Sequence, residues 1–318
     1  HQTRSYTVKV VMVDMQYDHY APDIYLEGRK LFDSTSIKAG QPLWAELETE
    51  VTGIEQIEGG WALHTNRGVL YTRAFVNCAG VYGGVLHNMI STRPVRIIPR
   101  RGQYYLLDRD EHLPFGMTMF QVPTKMGKGV LISPTTHGNL LIGPTAEDIE
   151  DGGDVTTTAD GLADVLSKAA LTWPDISTRS VITNFSGIRA HEAGGDFIIG
   201  TVEGAGEGAF EAIGIESPGL TAAPAIGEEL GTWVAYFLQL PKKRYMRDVP
   251  PMPKAFSHMS PGEREAAYLK DPEYGRIVCR CETVTEAEVR QAIRQPVGAR
   301  TLDGVKRRTR AGMGRCQG

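Results

Sequence analysis

Ala74-Phe75-Val76-Asn77-Cys78-Ala79-Gly80 is an apolar strand that runs straight into a turn of small residues. Small residues at that point let the backbone approach a ligand closely. A second strand, Phe210-Glu211-Ala212-Ile213-Gly214, leads through Glu216-Ser217-Pro218-Gly219-Leu220-Thr221 into a long helix to about Leu238. Pro218 near the helix start, with Ser217 or Thr221 as its cap, fits known start signals. Amide groups at such a start hold an anion or a polar ring edge, or simply open a core helix. Val8-Lys9-Val10-Val11-Met12-Val13-Asp14 reads as a buried strand ending in an acid. Asp14 there either accepts from a ribose hydroxyl pair or is an ordinary strand-end aspartate. Strands of this kind with intervening helix predict an α/β fold.

Outward from these elements, Glu50–Ile54, Trp61–Thr65 and Gly68–Thr72 read as a meander with Gly59-Gly60 and Asn66-Arg67-Gly68 as turns. Between about 95 and 190 the strands change character: Val95–Pro99, Gln103–Leu107, Gly129–Ile132 and Leu140–Gly143 predict a mostly antiparallel sheet in a separate substrate domain. Leu162, Val165, Leu166 and Ala169 sit at helical spacing, so a helix over 158–170 is expected to pack on that sheet. Val249-Pro250-Pro251-Met252-Pro253 marks a linker. Beyond it, Thr283-Val284-Thr285-Glu286 predicts a capping box ahead of a helix from Ala287 to Ile293.

The 318 residues exceed one average domain, and the net charge of -4 gives no global electrostatic reason to expect nucleic acid as a partner. No apolar stretch is long enough to span a bilayer and no signal-peptide core opens the sequence, which makes the cytoplasm the expected location. Three of the four cysteines, Cys279, Cys281 and Cys316, lie near the C-terminus. Such clustering in a cytosolic chain favours metal or cluster ligation over disulfides, the alternative being three unrelated buried thiols. Arg280 and Arg315 are expected to lower the thiol pKa values and offset a cluster's negative charge.

Val278–Thr285 and Thr309–Gly318 resemble the bacterioferritin-associated-ferredoxin type of 2Fe-2S module, in which a fourth cysteine follows the third after a short spacer. The remainder resembles the FAD-dependent glycerol-3-phosphate dehydrogenases, anaerobic type, within the D-amino-acid-oxidase-like flavoproteins. That likeness is carried by Asn77-Cys78-Ala79-Gly80, Pro99-Arg100-Arg101-Gly102-Gln103-Tyr104-Tyr105, Thr136–Thr145, Gly187-Ile188-Arg189-Ala190 and Glu216–Thr221. It implies a Rossmann-like FAD domain over 1–93 and 197–240, an inserted antiparallel substrate domain over 94–196, a linker over 241–275 and a small helical cluster module over 276–318. It further implies FAD contacts by Asp14, Val51, Ala79, Gly80, Gly187, Ser217, Pro218, Gly219, Leu220 and Thr221. The resemblance places Arg189 over the flavin face, where its planar fork would bind the anionic group of a substrate, the alternative being a surface ion pair with Asp196 or Glu192. His137 would polarise or deprotonate the substrate hydroxyl, or be a hydrogen-bonded turn histidine. Lys125, His191 and Tyr104 are weaker candidates for the same pocket.

The implied reaction is hydride removal from a small anionic secondary alcohol, such as C2 of sn-glycerol 3-phosphate, with electrons leaving through the 2Fe-2S cluster. Their destination would be a redox partner protein or a quinone-linked acceptor, with the enzyme cytoplasmic or peripheral to the membrane. The rival readings are a 2-hydroxy acid substrate and a non-catalytic electron-transfer subunit. The glycine-rich loop that precedes a strand like Val8–Asp14 in the family has no counterpart. Only about thirty-five residues separate that strand from Glu50, and Leu26–Asp33 among them resembles a family helix. The sequence therefore reads as part of a longer protein, with FAD and the cluster expected of the full-length form and absent or poorly held without the missing pieces.

Overall fold

The computed structural model describes residues 24–26, 29–32, 49–109, 115–122, 129–240, 254–294 and 298–318. Asp14 with its strand, Lys125 and the proline-rich stretch 249–253 lie outside the described residues. The chain divides into two compact units: His1–Gly102, Ala146–Val155 and Gly187–Arg247 form one, and Gln103–Thr145, Thr156–Ser186 and Asp248–Gly318 the other.

The first unit opens with β1 (Ile24–Leu26) and β2 (Arg29–Phe32), an antiparallel pair where a helix over Leu26–Asp33 was expected. The predicted meander follows as β3 (Val51–Ile57), β4 (Gly60–Thr65) and β5 (Gly68–Thr72), each antiparallel to the next. Trp61, Leu63 and Leu70 turn inward from it onto Val202 and Ala209. The Trp61 indole also donates to the Glu207 carbonyl at 2.9 Å, satisfying its one polar atom. The apolar strand contracts to β6 (Phe75–Asn77), followed by a short 3-10 turn and α1 (Gly83–Asn88).

Val95–Pro99 and Gln103–Leu107, expected as two strands, are one: β7 (Ile97–Leu107). Two arginines in mid-strand suggest a break, but each has a carboxylate directly across from it. In the second unit the far half of β7 pairs antiparallel with β9 (Leu140–Gly143), which pairs with β8 (Leu131–Pro134). In the first unit the near half pairs with β10 (Glu147–Asp148), which sets Glu147 opposite Arg101 and Asp148 opposite Arg100. Arg101, only 6% exposed, is forked between Glu147 at 2.9 Å and Asp154 at 2.8 Å.

Helix α2 (Ala159–Ala170) forms where its periodicity predicts, with the Thr158 hydroxyl accepting from the Gly161 amide. Val165 and Ala169 close the second unit's core against Leu107, Val130, Ile132, Leu140 and Ile142. Each large apolar side chain so buried contributes about 1.5–3 kcal/mol. Gln103 of the Arg-Gly-Gln-Tyr-Tyr motif serves this packing: fully buried, it donates to the Thr158 hydroxyl at 3.1 Å and accepts from the Thr158 amide at 2.7 Å.

The chain returns to the first unit along β11 (Val181–Glu192), then β12 (Ile198–Thr201) and β13 (Ala209–Ile213). Strand β13 is antiparallel to β12 and parallel to β6, with Glu211 opposite Asn77. Helix α3 (Gly219–Phe237) covers this sheet through Leu230 and Val234 on Phe210 and Ala212. Neither Ser217 nor Thr221 caps it as expected; the Thr221 hydroxyl instead donates to the Pro218 carbonyl at 2.8 Å.

The segment read as linker contains a helix, α4 (Pro261–Lys270), with a capping box between Ser260 and Glu263. After β14 (Ile277–Cys279) and β15 (Val284–Thr285) come α5 (Glu286–Arg294) and α6 (Leu302–Thr309). The capping box of α5 lies two residues beyond its predicted place. The Thr285 hydroxyl accepts from the Glu288 amide at 3.3 Å, and the Glu288 carboxylate accepts from the Thr285 amide at 2.8 Å.

Candidate functional site

Because β6 and β13 are parallel, both end on the same side of the sheet, and ligands of open α/β sheets bind outside such carboxyl ends. At the end of β6 the Asn77 side chain fixes the turn, accepting from the Ala79 amide at 3.2 Å and donating to the Gly83 carbonyl at 2.8 Å. Gly80 follows with φ +58°, and a side chain built there meets nothing within 4 Å. The space above this turn is open to a ligand. At the end of β13, Gly214, Glu216, Ser217 and Pro218 line a cavity of about 210 Å³ together with Glu192. Leu220 projects almost fully exposed from the first turn of α3, while Gly219 is buried and Thr221 exposed. Val51, at the start of β3, is buried in the first unit.

Successive residues of a strand point to opposite faces. Gly187, Arg189 and His191 therefore line one face of β11, with Ile188 and the buried Ala190 on the other. A side chain added at Gly187 would meet nothing within 4 Å, so the floor beside Arg189 is clear. Asp148 lies in the field of this face. Its carboxyl is held below the usual range, first by paired hydrogen bonds from Arg100 (2.5 and 3.1 Å) and further by the charges of His191 and Arg189, against an opposing desolvation. His191 Nδ1 meets Glu216 Oε1 at 2.7 Å, with both side chains about one-fifth exposed. Arg100 and Arg189 thus bring two guanidinium charges to this face, with Asp148 and Glu216 among the acids beside them.

His137 belongs to the second unit, on the turn between β8 and β9. Its pKa is lowered, first by desolvation and then by Arg310, with Glu282 acting in the opposite sense and His258 and Arg109 nearby. Tyr104 stacks on Phe185 in the same unit, with ring centroids 5.1 Å apart. Sequence reasoning missed the Glu216 partner of His191 and the role of Asp148. It also missed a buried pair, His87 Nδ1 to Glu211 at 2.9 Å, which ties α1 to β13. The alternation of Gly187, Arg189 and His191 along a strand was the available signal.

The three cysteines of the C-terminal module converge. Cys281 donates to Cys316, which raises the Cys281 pKa; Cys316 is lowered by the Gly318 amide and then by Cys281. Cys279 Sγ accepts from the Gly312 amide at 3.4 Å. Backbone amides, rather than the Arg280 or Arg315 expected from sequence, supply the polarity. Arg315 is engaged with Asp108. Among the described residues no three His, Cys, Asp or Glu side chains already close on one metal position. The donor set of soft thiols, one at the end of β14 and two exposed on loops, nonetheless fits an iron-sulfur cluster.

Parallel strand ends with an open glycine turn and an arginine-bearing strand face describe an α/β ligand-binding domain, and the clustered thiols describe a cluster-binding module. The chain belongs to the FAD dependent oxidoreductase family, which matches residues 45–233, and the BFD-like [2Fe-2S] binding domain matches residues 277–318. FAD and a 2Fe-2S cluster are the cofactors of these two domains. More particularly, the chain is 44% identical over 277 residues to a glycerol 3-phosphate dehydrogenase of Caloramator mitchellensis, covering 86% of this chain and 57% of that protein. It is also similar to one subunit of the anaerobic glycerol-3-phosphate dehydrogenase of Escherichia coli K12, with 43% identity over 58 residues, 18% of this chain and 10% of the relative. Among solved structures it is similar to a dithionite-reduced L-alpha-glycerophosphate oxidase of Mycoplasma pneumoniae with FAD bound. That match has 30% identity and a TM-score of 0.57, over 65% of this chain and 55% of that one. The chain spans little more than half the length of the Caloramator and Mycoplasma relatives.

Proposed function

We propose that the full-length protein oxidises sn-glycerol 3-phosphate to dihydroxyacetone phosphate and passes the electrons through its 2Fe-2S centre to a redox partner protein or a quinone-linked acceptor. The observation that carries this reading is the single face of β11 bearing Gly187, Arg189 and His191. Arg189 receives the phosphate through paired charge-assisted hydrogen bonds. Asp148 and Arg100 set the charge around it. His191 is the residue best placed in that unit to take the hydroxyl proton. Glu216 at Nδ1 keeps the proton on that nitrogen and leaves Nε2 as the base, the role a carboxylate plays beside a catalytic histidine. When bound, FAD supplies the hydride acceptor. Val51, Ala79, Gly80 and the Ser217–Thr221 turn would hold it, with the open turn at Gly80 giving its backbone access. Among the described residues no helix is long and apolar enough to cross a membrane, which supports a cytoplasmic enzyme or one peripheral to the bilayer.

The test is steady-state kinetics of Arg189→Leu with glycerol 3-phosphate and a panel of 2-hydroxy acids, using an artificial electron acceptor. Losing two charge-assisted bonds costs about 3 kcal/mol, so KM for the true substrate is expected to rise about a hundredfold. Glu216→Gln is expected to lower kcat. Unchanged kinetics of Arg189→Leu with every anionic substrate would remove this face from the site.

A further inference from the structure

Two consecutive residues at the end of β7 hold both thiol-bearing loops of the C-terminal module. Asp108 Oδ2 accepts from Arg315 Nε, and Arg109 Nη2 donates to Glu282 Oε1. Arg315 immediately precedes Cys316, and Glu282 immediately follows Cys281. Both carboxylates are buried, with side-chain exposures of 11% for Asp108 and 6% for Glu282. The anchor on the strand side is rigid. The Asp108 amide donates to the Ser180 carbonyl at 2.8 Å, the Arg109 amide to Asp108 Oδ1 at 2.7 Å, and Asn139 to the Leu107 carbonyl at 3.0 Å. On the module side, Arg310 Nε donates to the second oxygen of Glu282 at 2.9 Å. Gly314 lies so close to Cys281 that an added Cβ would sit 2.6 Å from its Cβ.

The two prongs have opposite polarity, anion to cation at Asp108 and cation to anion at Arg109. A one-residue slip would set Arg109 toward Arg315, which opposes like charges. In each pair the carboxylate is buried while the arginine is open to solvent, Arg315 by 67% and Arg109 by 41%, so losing an arginine leaves a buried carboxylate short of a partner. None of this was legible from the motifs, because Asp108 and Arg109 lie far in sequence from the cysteines.

We propose that Asp108 and Arg109 are positioning residues for the 2Fe-2S centre, fixing the Cys281 and Cys316 loops in one register on β7 and thereby setting the geometry of the cluster they hold. The inference rests on the assignment of residues 277–318 to the 2Fe-2S domain. It is tested in the full-length protein with Asp108→Arg, Arg315→Asp and the double charge swap. In protein stripped of iron, each single variant is expected to speed amide exchange at 279–282 and 312–318 about tenfold or more, and the double swap to restore protection. In loaded protein the singles are expected to shift the reduced cluster's EPR line shape and midpoint potential, and the double swap to bring both back toward wild type. Asp108→Asn and Arg315→Gln, which keep the volumes, give the same directions with smaller amplitude where a reversal does not fold. Wild-type exchange and EPR in the single variants would overturn the proposal, as would singles whose changes the swap fails to reverse. Wild-type protein lacking iron and acid-labile sulfide would sink the domain assignment instead, while exchange in the iron-free protein still judges the clamp.

Discussion

Gly161 is the third residue of α2, a position where replacing glycine by alanine ordinarily stabilises a helix by about 1 kcal/mol. Here the sign is expected to reverse. An added Cβ would lie 2.2 Å from Gln103 Nε2 and 2.6 Å from Cδ. Gln103 is fully buried and has no solvent-filled space to retreat into. Displacing its amide breaks the bonds to the Thr158 hydroxyl and amide, at 3.1 and 2.7 Å. Two buried bonds at about 1 kcal/mol each, with up to 1–3 kcal/mol more for the amide left unsatisfied, exceed the helical gain. Gly161→Ala should therefore destabilise the second unit by about 1–4 kcal/mol. Urea unfolding followed by Trp173 fluorescence measures it, and a double-mutant cycle with Gln103→Ala isolates the cause. With the glutamine gone, Gly161→Ala should revert to stabilising. A Gly161→Ala protein with a raised midpoint in both backgrounds would refute the reasoning.

Glu211→Ala should cost about 3–5 kcal/mol by leaving His87 Nδ1 buried without its partner, whereas Glu211→Gln should cost far less, both read by chemical denaturation. Burial raises the Glu211 pKa against the opposing pull of His87. A raised native pKa gives stability that is full below the unfolded value of about 4.3 and lost as pH rises through the native one. Wild type should thus lose ground to Glu211→Gln as pH rises from about 4; a pH-independent difference would contradict this. Thr285→Val should remove about 1–2 kcal/mol from the start of α5 and speed exchange of the amides at 286–289, because the cap is Thr285 and not Thr283. The imidazole of His137 should titrate below the ordinary 6.5 in two-dimensional NMR, since partial desolvation on its exposed turn and then the Arg310 charge both disfavour its protonated form. Arg310→Gln should move that midpoint up.

Periodicity carried the fold where one side of an element is buried and the other wet. The meander β3–β5, the helix α2 and the strand-to-helix passage into α3 all stand where the alternation or the 3.6-residue repeat places them. It failed where the deciding partner is remote. Arg100 and Arg101 in mid-strand look like a break until β10 supplies their carboxylates from some fifty residues away. The capping box of α5 was misplaced because Thr283 and Thr285 offer the same local chemistry, and only pairing of β15 with β14 through Thr285 chooses between them. Arg189 is a candidate through its motif alone. The carboxylates near the proposed face, Asp148 and Glu216, carry no local signature, and neither does the His87–Glu211 pair.

The alternation of β11 also makes the site sensitive to reading length. Replacing Ile188 by another apolar residue leaves Arg189 where it is, but deleting Ile188 inverts the strand beyond the cut. The guanidinium and the imidazole would then exchange faces with Ala190, turning charge into the packed side. A two-residue deletion keeps the phase and shortens the spacing instead. In this stretch an apolar exchange at Ile188 leaves the phase of the strand intact, whereas any odd-numbered insertion or deletion reverses it.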